Sequence, residues 1–174
     1  ATERLLVHQF AAKGALHDPA APAVRYQDSV LSHGDLACHV DGLARMLLEQ
    51  GVRPGQRVGI LLERRLELPV SMLAVLTAGG CYVPLDPGYP DERIAMILEH
   101  SAVELVITST AMADRIRPRR TLLFSLSDLK GYPAHFIDPK DMKPVAIELP
   151  SLNDADPAYL IHTSGTTGRP KGVE

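Results

Sequence analysis

Short apolar runs alternate with longer helical patterns along most of this sequence. The runs Arg57–Leu62 and Val103–Ile107 have the length and the apolar content of strands that are buried on both faces. Segments 32–51, 66–78 and 91–100 instead carry apolar residues at helical spacing. Further strands are predicted at Cys81–Val83, Thr121–Phe124 and Tyr159–Thr163. Since buried strands that alternate with helices favour a mostly parallel sheet with helices on both faces, we predict an α/β fold.

The ends of two helices are marked by capping residues. Ser32 supplies a hydroxyl N-cap and Asp35 a carboxylate three residues later, which is the pattern of a capping box. Gly51 is placed to end the same helix at the C′ position. Gly79 and Gly80 are placed to end the next helix. These residues are interpreted as scaffolding.

The alternation of strands and helices is less regular near both ends of the sequence. Leu5–Phe10 has apolar residues at helical spacing, and Ala23–Tyr26 followed by Val30–Leu31 predicts a strand and a return strand. Segment 125–157 contains prolines and scattered charges without a period, so we predict a long, mostly irregular surface connection there.

Charge and hydropathy exclude several classes of partner. The chain has 174 residues and a formal net charge of −3, whereas nucleic-acid-binding proteins need a clear cationic excess. Its basic cluster, Arg115, Arg117, Arg119 and Arg120, is interpreted as a solvated loop. The sequence contains neither a signal peptide nor an apolar run of membrane-spanning length. We therefore expect no nucleic-acid partner, no membrane association and a cytoplasmic location.

The cysteines suggest no metal site. Cys38 and Cys81 lie far apart and have no ligand spacing, so both are interpreted as small core residues in a reducing compartment. The acidic residues likewise show no pairing suited to general acid/base catalysis.

The residues best suited to binding a ligand lie in segment 163–172, which reads Thr-Ser-Gly-Thr-Thr-Gly-Arg-Pro-Lys-Gly. Its glycines allow positive φ and can turn successive N–H groups toward one point. Its hydroxyls and its lysine add donors and a point charge suited to phosphate oxygens. The candidate phosphate-binding residues are Thr163, Ser164, Gly165, Thr166, Thr167, Gly168 and Lys171.

Two familiar phosphate-binding motifs do not match this segment, because their residues are spaced differently. A P-loop NTPase requires Gly-Lys-Ser/Thr at the sixth to eighth places. Counted from Gly165, the sixth place is Pro170, and Gly172 follows Lys171. The dinucleotide-binding Gly-x-Gly-x-x-Gly pattern is also missing from this segment. A Ser/Thr/Gly-rich surface turn is the remaining alternative, and the order of the string argues against it.

His162 precedes the candidate loop and has two interpretations. An imidazole beside a polyphosphate could add a donor or a charge. A side chain in a strand that faces away from the loop is more often packed and hydrogen-bonded, and we favour this second interpretation.

Several segments of the sequence resemble the motifs of a known family. Segment 159–172 is similar to the AMP-binding signature of the acyl-adenylate-forming superfamily, which includes adenylation domains of nonribosomal peptide synthetases, acyl-CoA synthetases and luciferases. Segments 76–86 and 89–94 resemble the second core motif of amino-acid-activating adenylation domains. Segment 31–36 resembles their first, with His33 where tyrosine is usual. The resemblance covers about residues 5–174 and is weakest in 125–156.

The resemblance implies both an activity and a fold. Members join a carboxylate to the α-phosphate of ATP and release pyrophosphate, with Mg²⁺ and a lysine neutralising charge. The segment matched by Thr163–Lys171 binds the β- and γ-phosphates. The chain would be the N-terminal portion of the large subdomain, with no catalytic residue or metal ligand of its own. The expected partners are an amino acid, a peptidyl carrier protein and an adjacent condensation domain.

No segment matches the later motifs of the family, so we expect residues 1–174 to be one part of an adenylation domain. The rest of the large subdomain and the small C-terminal domain would complete it, and this part would be inactive alone. Two alternatives remain open: a truncated nucleotide-binding or docking module, and an acyl-CoA or aryl-acid ligase of the same superfamily.

Overall fold

The computed structural model describes residues 9–116, 120–123, 150–151, 155–164 and 170–173. The helices and strands alternate along most of this length. The helices are α1 (Gln9–His17), α2 (His33–Glu49), α3 (Glu67–Thr77) and α4 (Asp91–His100), with a 3₁₀ turn at Ala113–Ile116. The strands are β1 (Pro22–Tyr26), β2 (Ser29–Ser32), β3 (Arg57–Leu61), β4 (Cys81–Leu85), β5 (Leu105–Thr108), β6 (Arg120–Leu123), β7 (Ile161–Ser164) and β8 (Pro170–Val173).

Four of the strands form a parallel sheet in the order β4-β3-β5-β6. In its register Arg57 of β3 pairs with Cys81, and Val58 pairs with Tyr82 of β4 and with Leu105 of β5. Since β4 and β5 lie on either side of β3, the chain must cross over it, and α4 makes that crossover. The predicted α/β class is confirmed.

Helices cover both faces of this sheet, as predicted. On one face, α2 and α3 pack on apolar side chains that include Val58, Ile60 and Ile107. On the other face, α4 packs on side chains that include Val83 and Val106. Each central strand therefore buries successive residues in different layers, which explains its continuous apolar run.

The predicted helix ends are confirmed in detail. The Ser32 hydroxyl accepts from the Asp35 backbone N–H at 3.1 Å, and the Asp35 carboxylate accepts from the Ser32 N–H at 3.3 Å. Gly51 has a φ of 88° and Gly79 a φ of 82°, the left-handed conformation that ends a helix.

Three sequence expectations differ from the structure or lie outside it. Helix α1 continues to His17, well past the predicted Phe10, and ends just before Pro19. Strand β8 was not predicted, because its proline and glycine are unfavourable in strands. Most of the predicted irregular connection, 125–149 and 152–154, lies outside the described residues.

The interpretation of the basic cluster as a solvated loop is wrong for Arg115 and holds only in part for Arg120. Arg115 is only 26% exposed and donates to three acceptors. Arg120 is exposed, as predicted, but it lies in β6 rather than in a loop and donates to the Gln50 carbonyl at 2.7 Å, next to the end of α2. Arg117 and Arg119 lie outside the described residues.

Cys38 and Cys81 are not joined by a disulfide. Cys81 is buried and packs in the α4 layer, as predicted, whereas Cys38 is only half-buried. Burial raises the pKa of the Cys38 thiol, and Asp35 and Asp41 raise it further. The thiol of Cys38 is therefore less ionised near neutral pH than that of an ordinary cysteine.

Candidate functional site

The candidate phosphate loop connects the two strands of an antiparallel hairpin. Strands β7 and β8 pair so that Thr163 lies opposite Lys171 and Ser164 opposite Pro170. The structure thus brings three of the predicted residues, Thr163, Ser164 and Lys171, to the loop end of one hairpin. The other four predicted residues, Gly165, Thr166, Thr167 and Gly168, lie outside the described residues.

The hairpin is attached to the main sheet through the residues that precede it. The Tyr82 N–H donates to the Ala158 carbonyl at 3.1 Å, and the Leu160 N–H donates to the Tyr82 carbonyl at 3.0 Å. Tyr159 and Tyr82 form a parallel bridge, with their ring centroids 5.7 Å apart. Residues 158–160 therefore extend the sheet beyond β4.

Side chains alternate along this segment as in a half-buried strand. Leu160 is buried in the α4 layer, and His162 is half-buried against the end of α4. Tyr159 and Ile161 are each 44% exposed. Helix α4 also contacts β8. The inward-facing residues hold the base of the hairpin against the α4 layer.

His162 has the packed, hydrogen-bonded role that we favoured from the sequence. Its Nε2 lies 3.3 Å from the Ser101 hydroxyl, at the C-terminal end of α4. Burial lowers the pKa of His162 below its ordinary value, and the nearby His100 and Arg57 lower it further. The ring is therefore mostly neutral at neutral pH.

The turn after β4 belongs to the segment that resembles the second core motif, and Arg115 holds it. The Arg115 guanidinium donates to the Pro87 carbonyl at 2.7 Å, the Tyr89 carbonyl at 2.6 Å and the Asp91 carboxylate at 2.7 Å. The Arg93 guanidinium lies 4.3 Å from the centroid of the Tyr89 ring. These contacts support the scaffolding interpretation of this motif, since they fix the path of the backbone.

Sequence reasoning missed the role of Arg115 because its partners are 24 to 28 residues away along the chain. No local period or capping pattern connects them. The motif indicated that the turn is special, but it did not indicate which side chain holds it.

The described residues offer neither a metal cluster nor a membrane-spanning helix. They contain no group of three or more histidine, cysteine, aspartate or glutamate side chains that could bind a metal ion. None of the helices in the described ranges has the length and apolar character needed to cross a bilayer.

Comparisons with a family model and with curated proteins agree with each other. Residues 11–174 match the family described as AMP-binding enzyme. The chain is 39% identical over 175 aligned positions to a dimodular nonribosomal peptide synthase of Bacillus subtilis (strain 168), covering 97% of this chain and 7% of that protein. It is 40% identical over 157 positions to tyrocidine synthase 3 of Brevibacillus parabrevis, covering 89% of this chain and 2% of that protein. The chain thus spans less than a tenth of these curated relatives.

Solved structures agree in fold. The nonribosomal peptide synthetase FmoA3, in its α-methyl-L-serine-AMP bound form, superimposes with a TM-score of 0.76 at 31% identity, covering 97% of this chain and 18% of that one. The same protein in its AMPPNP-bound form gives a TM-score of 0.77 at 29% identity, covering 99% of this chain and 17% of that one. VinN in complex with 3-methylaspartate gives a TM-score of 0.80 at 24% identity, covering 97% of this chain and 46% of that one, a likeness of fold alone.

The fold, the order of the motifs and the match across residues 11–174 lead to one conclusion. This chain belongs to the AMP-binding enzyme family.

Proposed function

We propose that this chain forms the N-terminal part of the large subdomain of an adenylation domain that activates an amino acid with ATP. The complete domain would form an aminoacyl-adenylate, release pyrophosphate and load a carrier-protein phosphopantetheine thiol. The observation that carries the proposal is the ordered string 163–172, whose first and last residues form the arms of a hairpin attached to the sheet.

In this reaction the substrate carboxylate is itself the nucleophile. Its oxygen attacks the α-phosphorus, the bond between the α-phosphorus and the bridging oxygen breaks, and pyrophosphate leaves with the electron pair. The enzyme therefore has to align the reactants and neutralise charge on the transferring group. A Ser/His/Asp arrangement is not required.

The proposed role of the loop is to hold the leaving pyrophosphate. Thr163, Ser164, Thr166 and Thr167 would donate hydroxyl protons to β- and γ-phosphate oxygens, and Gly165 and Gly168 would let backbone N–H groups point the same way. Lys171 would contribute a positive charge. The register that sets Thr163 opposite Lys171 supports this assignment, because it brings both to the same end of the hairpin.

The donor set of the loop fits ATP better than it fits the accompanying metal. Hydroxyls, backbone N–H groups and a lysine bind phosphate oxygens, whereas Mg²⁺ prefers carboxylates and water. We therefore propose that Mg²⁺ is held by the phosphates of ATP and by carboxylates of the complete domain. When bound, it would neutralise charge on the phosphates.

The relatives support the amino-acid class of substrate. One curated relative is a nonribosomal peptide synthase, and the peptide synthetase FmoA3 has been solved with α-methyl-L-serine-AMP and with AMPPNP. We propose an amino acid as the substrate, a peptidyl carrier protein as the acceptor and an adjacent condensation domain as a neighbour. Residues 1–174 alone should be inactive, and should bind ATP more weakly than a micromolar site, which corresponds to about −8 kcal/mol.

The test is amino-acid-dependent exchange of labelled pyrophosphate into ATP by the complete adenylation domain that contains this chain. We expect exchange with one or a few members of a full amino-acid panel. Hydroxamate trapping with fatty and aryl acids on the same enzyme tests the acyl-CoA ligase alternative. Exchange with no amino acid, together with trapping of a fatty or aryl acid, would overturn the proposal.

Lys171→Ala tests the phosphate role within the same assay. We expect the KM for ATP to rise about tenfold or more, since a charge-assisted contact to phosphate is lost. Lys171→Arg, which keeps the charge, should retain more activity than the alanine variant. Melting temperatures should stay close to the wild-type value, and a lower melting temperature with unchanged exchange per folded molecule would contradict a phosphate role.

A further inference from the structure

The strand that leads into the phosphate loop is fixed at two successive points. The first is the pair of backbone hydrogen bonds between Tyr82 and residues 158–160, with the Leu160 side chain buried beside them. The second is the His162 ring against Ser101. Among the described side chains, His162 is the last along the chain before the loop, so it sets where the first arm of the hairpin lies.

The hydrogen bond between His162 and Ser101 has a defined direction. The Ser101 hydroxyl donates to the Ile97 carbonyl at 2.7 Å, one turn back in α4. Because the Ser101 hydroxyl donates its one proton to that carbonyl, the Ser101 oxygen can only accept a hydrogen bond from His162 Nε2. The ring therefore carries its proton on Nε2 and is locked to a fully buried hydroxyl at the C-terminal end of α4.

The surroundings of His162 Nδ1 also favour a neutral ring that carries its proton on Nε2. His162 Nδ1 is buried and has no hydrogen-bond partner among the described residues. The charged and titratable groups that act on the ring are His100 at the end of α4 and Arg57 at the start of β3. A second proton on Nδ1 would place an unpaired donor and a positive charge beside these groups, which disfavours the charged ring.

We propose that His162 is a positioning residue for the phosphate loop, acting through its Nε2–H hydrogen bond to Ser101. The inference rests on the proposed function of the loop and concerns residues outside it. His162 directly precedes Thr163 and Ser164, two of the proposed phosphate-binding residues, so the anchor would fix where β7 places them and contribute to ATP affinity without contacting ATP.

The experiment compares His162→Phe and His162→Gln in the complete adenylation domain. Phenylalanine keeps a ring of similar size but cannot donate, whereas glutamine keeps an N–H near the position of Nε2. We expect His162→Phe to raise the KM for ATP about two- to tenfold, the range expected for one hydrogen bond. The KM for the amino acid and kcat should change much less, and His162→Gln should restore most of the ATP affinity.

A double-mutant cycle with Ser101→Ala identifies the partner. If the contact is the anchor, each single variant raises the KM for ATP by a similar factor and the double variant is no worse than the worse single one. Multiplied effects in the double variant, or an unchanged KM for ATP in His162→Phe, would overturn the inference. So would a lowered melting temperature with normal ATP affinity per folded molecule.

Amide hydrogen exchange separates failure of this inference from failure of the proposed function. His162→Phe should speed exchange of the amides from Leu160 to Ser164 and leave those of β3 unchanged. This readout needs no substrate. If the wild-type enzyme activates no amino acid but this local change is seen, the anchor stands and the proposed function fails. If exchange in that segment is unchanged, the anchor fails whatever the activity.

Discussion

At the scale of single residues, the capping box of α2 shows how a local pattern becomes a structural contact. The Ser32 hydroxyl and the Asp35 carboxylate each accept from the other residue's backbone N–H. Ser32→Ala should lower the free energy of unfolding by about 1 kcal/mol, measured by urea denaturation, because one N–H at the start of the helix loses its acceptor. Ser32→Thr is the matched control and should lose much less. Equal losses in the two variants would contradict the capping role.

The capping box could be predicted from sequence because all its partners lie within four consecutive residues. The same is true of Gly51 and Gly79, whose positive φ follows from their place after a helix. The role of His162 could only be stated as two alternatives, because Ser101 is 61 residues away. Which side of the strand faces α4 depends on the tertiary fold and cannot be read from the neighbouring residues.

At the scale of elements, the turn between α3 and β4 depends on two glycines for different reasons. Gly79 adopts a φ of 82°, whereas a Cβ on Gly80 would lie 2.9 Å from Val75 Cγ1 and 3.2 Å from the Gln56 carbonyl oxygen. Gly51 combines a φ of 88° with open space around it. Gly51→Ala should therefore cost about 1 kcal/mol from conformation alone.

Gly80→Ala should cost more than Gly51→Ala, by about 1 kcal/mol or more, because the new methyl group meets both a buried side chain and a backbone oxygen. Urea denaturation of the two variants provides the comparison, with Gly51→Ala as the control for a helix-terminal glycine. A Gly80→Ala variant as stable as Gly51→Ala would show that the contact with the Gln56 carbonyl relaxes freely.

Arg115 holds the turn after β4 through an ion pair and through hydrogen bonds to the backbone. Two of its hydrogen bonds go to backbone carbonyls, which a lysine cannot reach with the same planar geometry. Arg115→Lys should lower the free energy of unfolding by about 1 to 2 kcal/mol. Asp91→Asn should lower it by less than about 1 kcal/mol, because Asp91 is 61% exposed and its ion pair is solvated. The reverse order in urea denaturation would assign the stabilisation to the ion pair.

The elements differ in how far their sequence predicts them. Strand β3 and helix α4 were predicted closely, because a continuous apolar run and a helical apolar face are strong local signals. Strand β8 was missed, since Pro170 and Gly172 disfavour a strand and only pairing with β7 produces one. The candidate loop could be identified by residue type and order, whereas its attachment through Tyr82 required the fold.

At the scale of the whole molecule, two histidines make the stability of the chain depend on pH. Burial lowers the pKa of His39, opposed by Asp35, and burial with His100 and Arg57 lowers the pKa of His162. Both groups bind protons more readily in the unfolded chain than in the folded one. Their contribution to stability is therefore complete above the unfolded pKa of about 6.5 and is lost as the pH falls below it.

We expect the free energy of unfolding to decrease between pH 6.5 and pH 5, by about 1 kcal/mol per pH unit or less for each histidine. Urea denaturation across this range measures the slope. His39→Gln and His162→Gln should each reduce it, because glutamine does not titrate, and the double variant should reduce it further. The sign of this slope shows whether burial or a neighbouring negative charge dominates the pKa of these histidines. A folded chain that favoured the protonated rings would gain stability in acid, and that result would show that the attraction of Asp35 outweighs burial at His39.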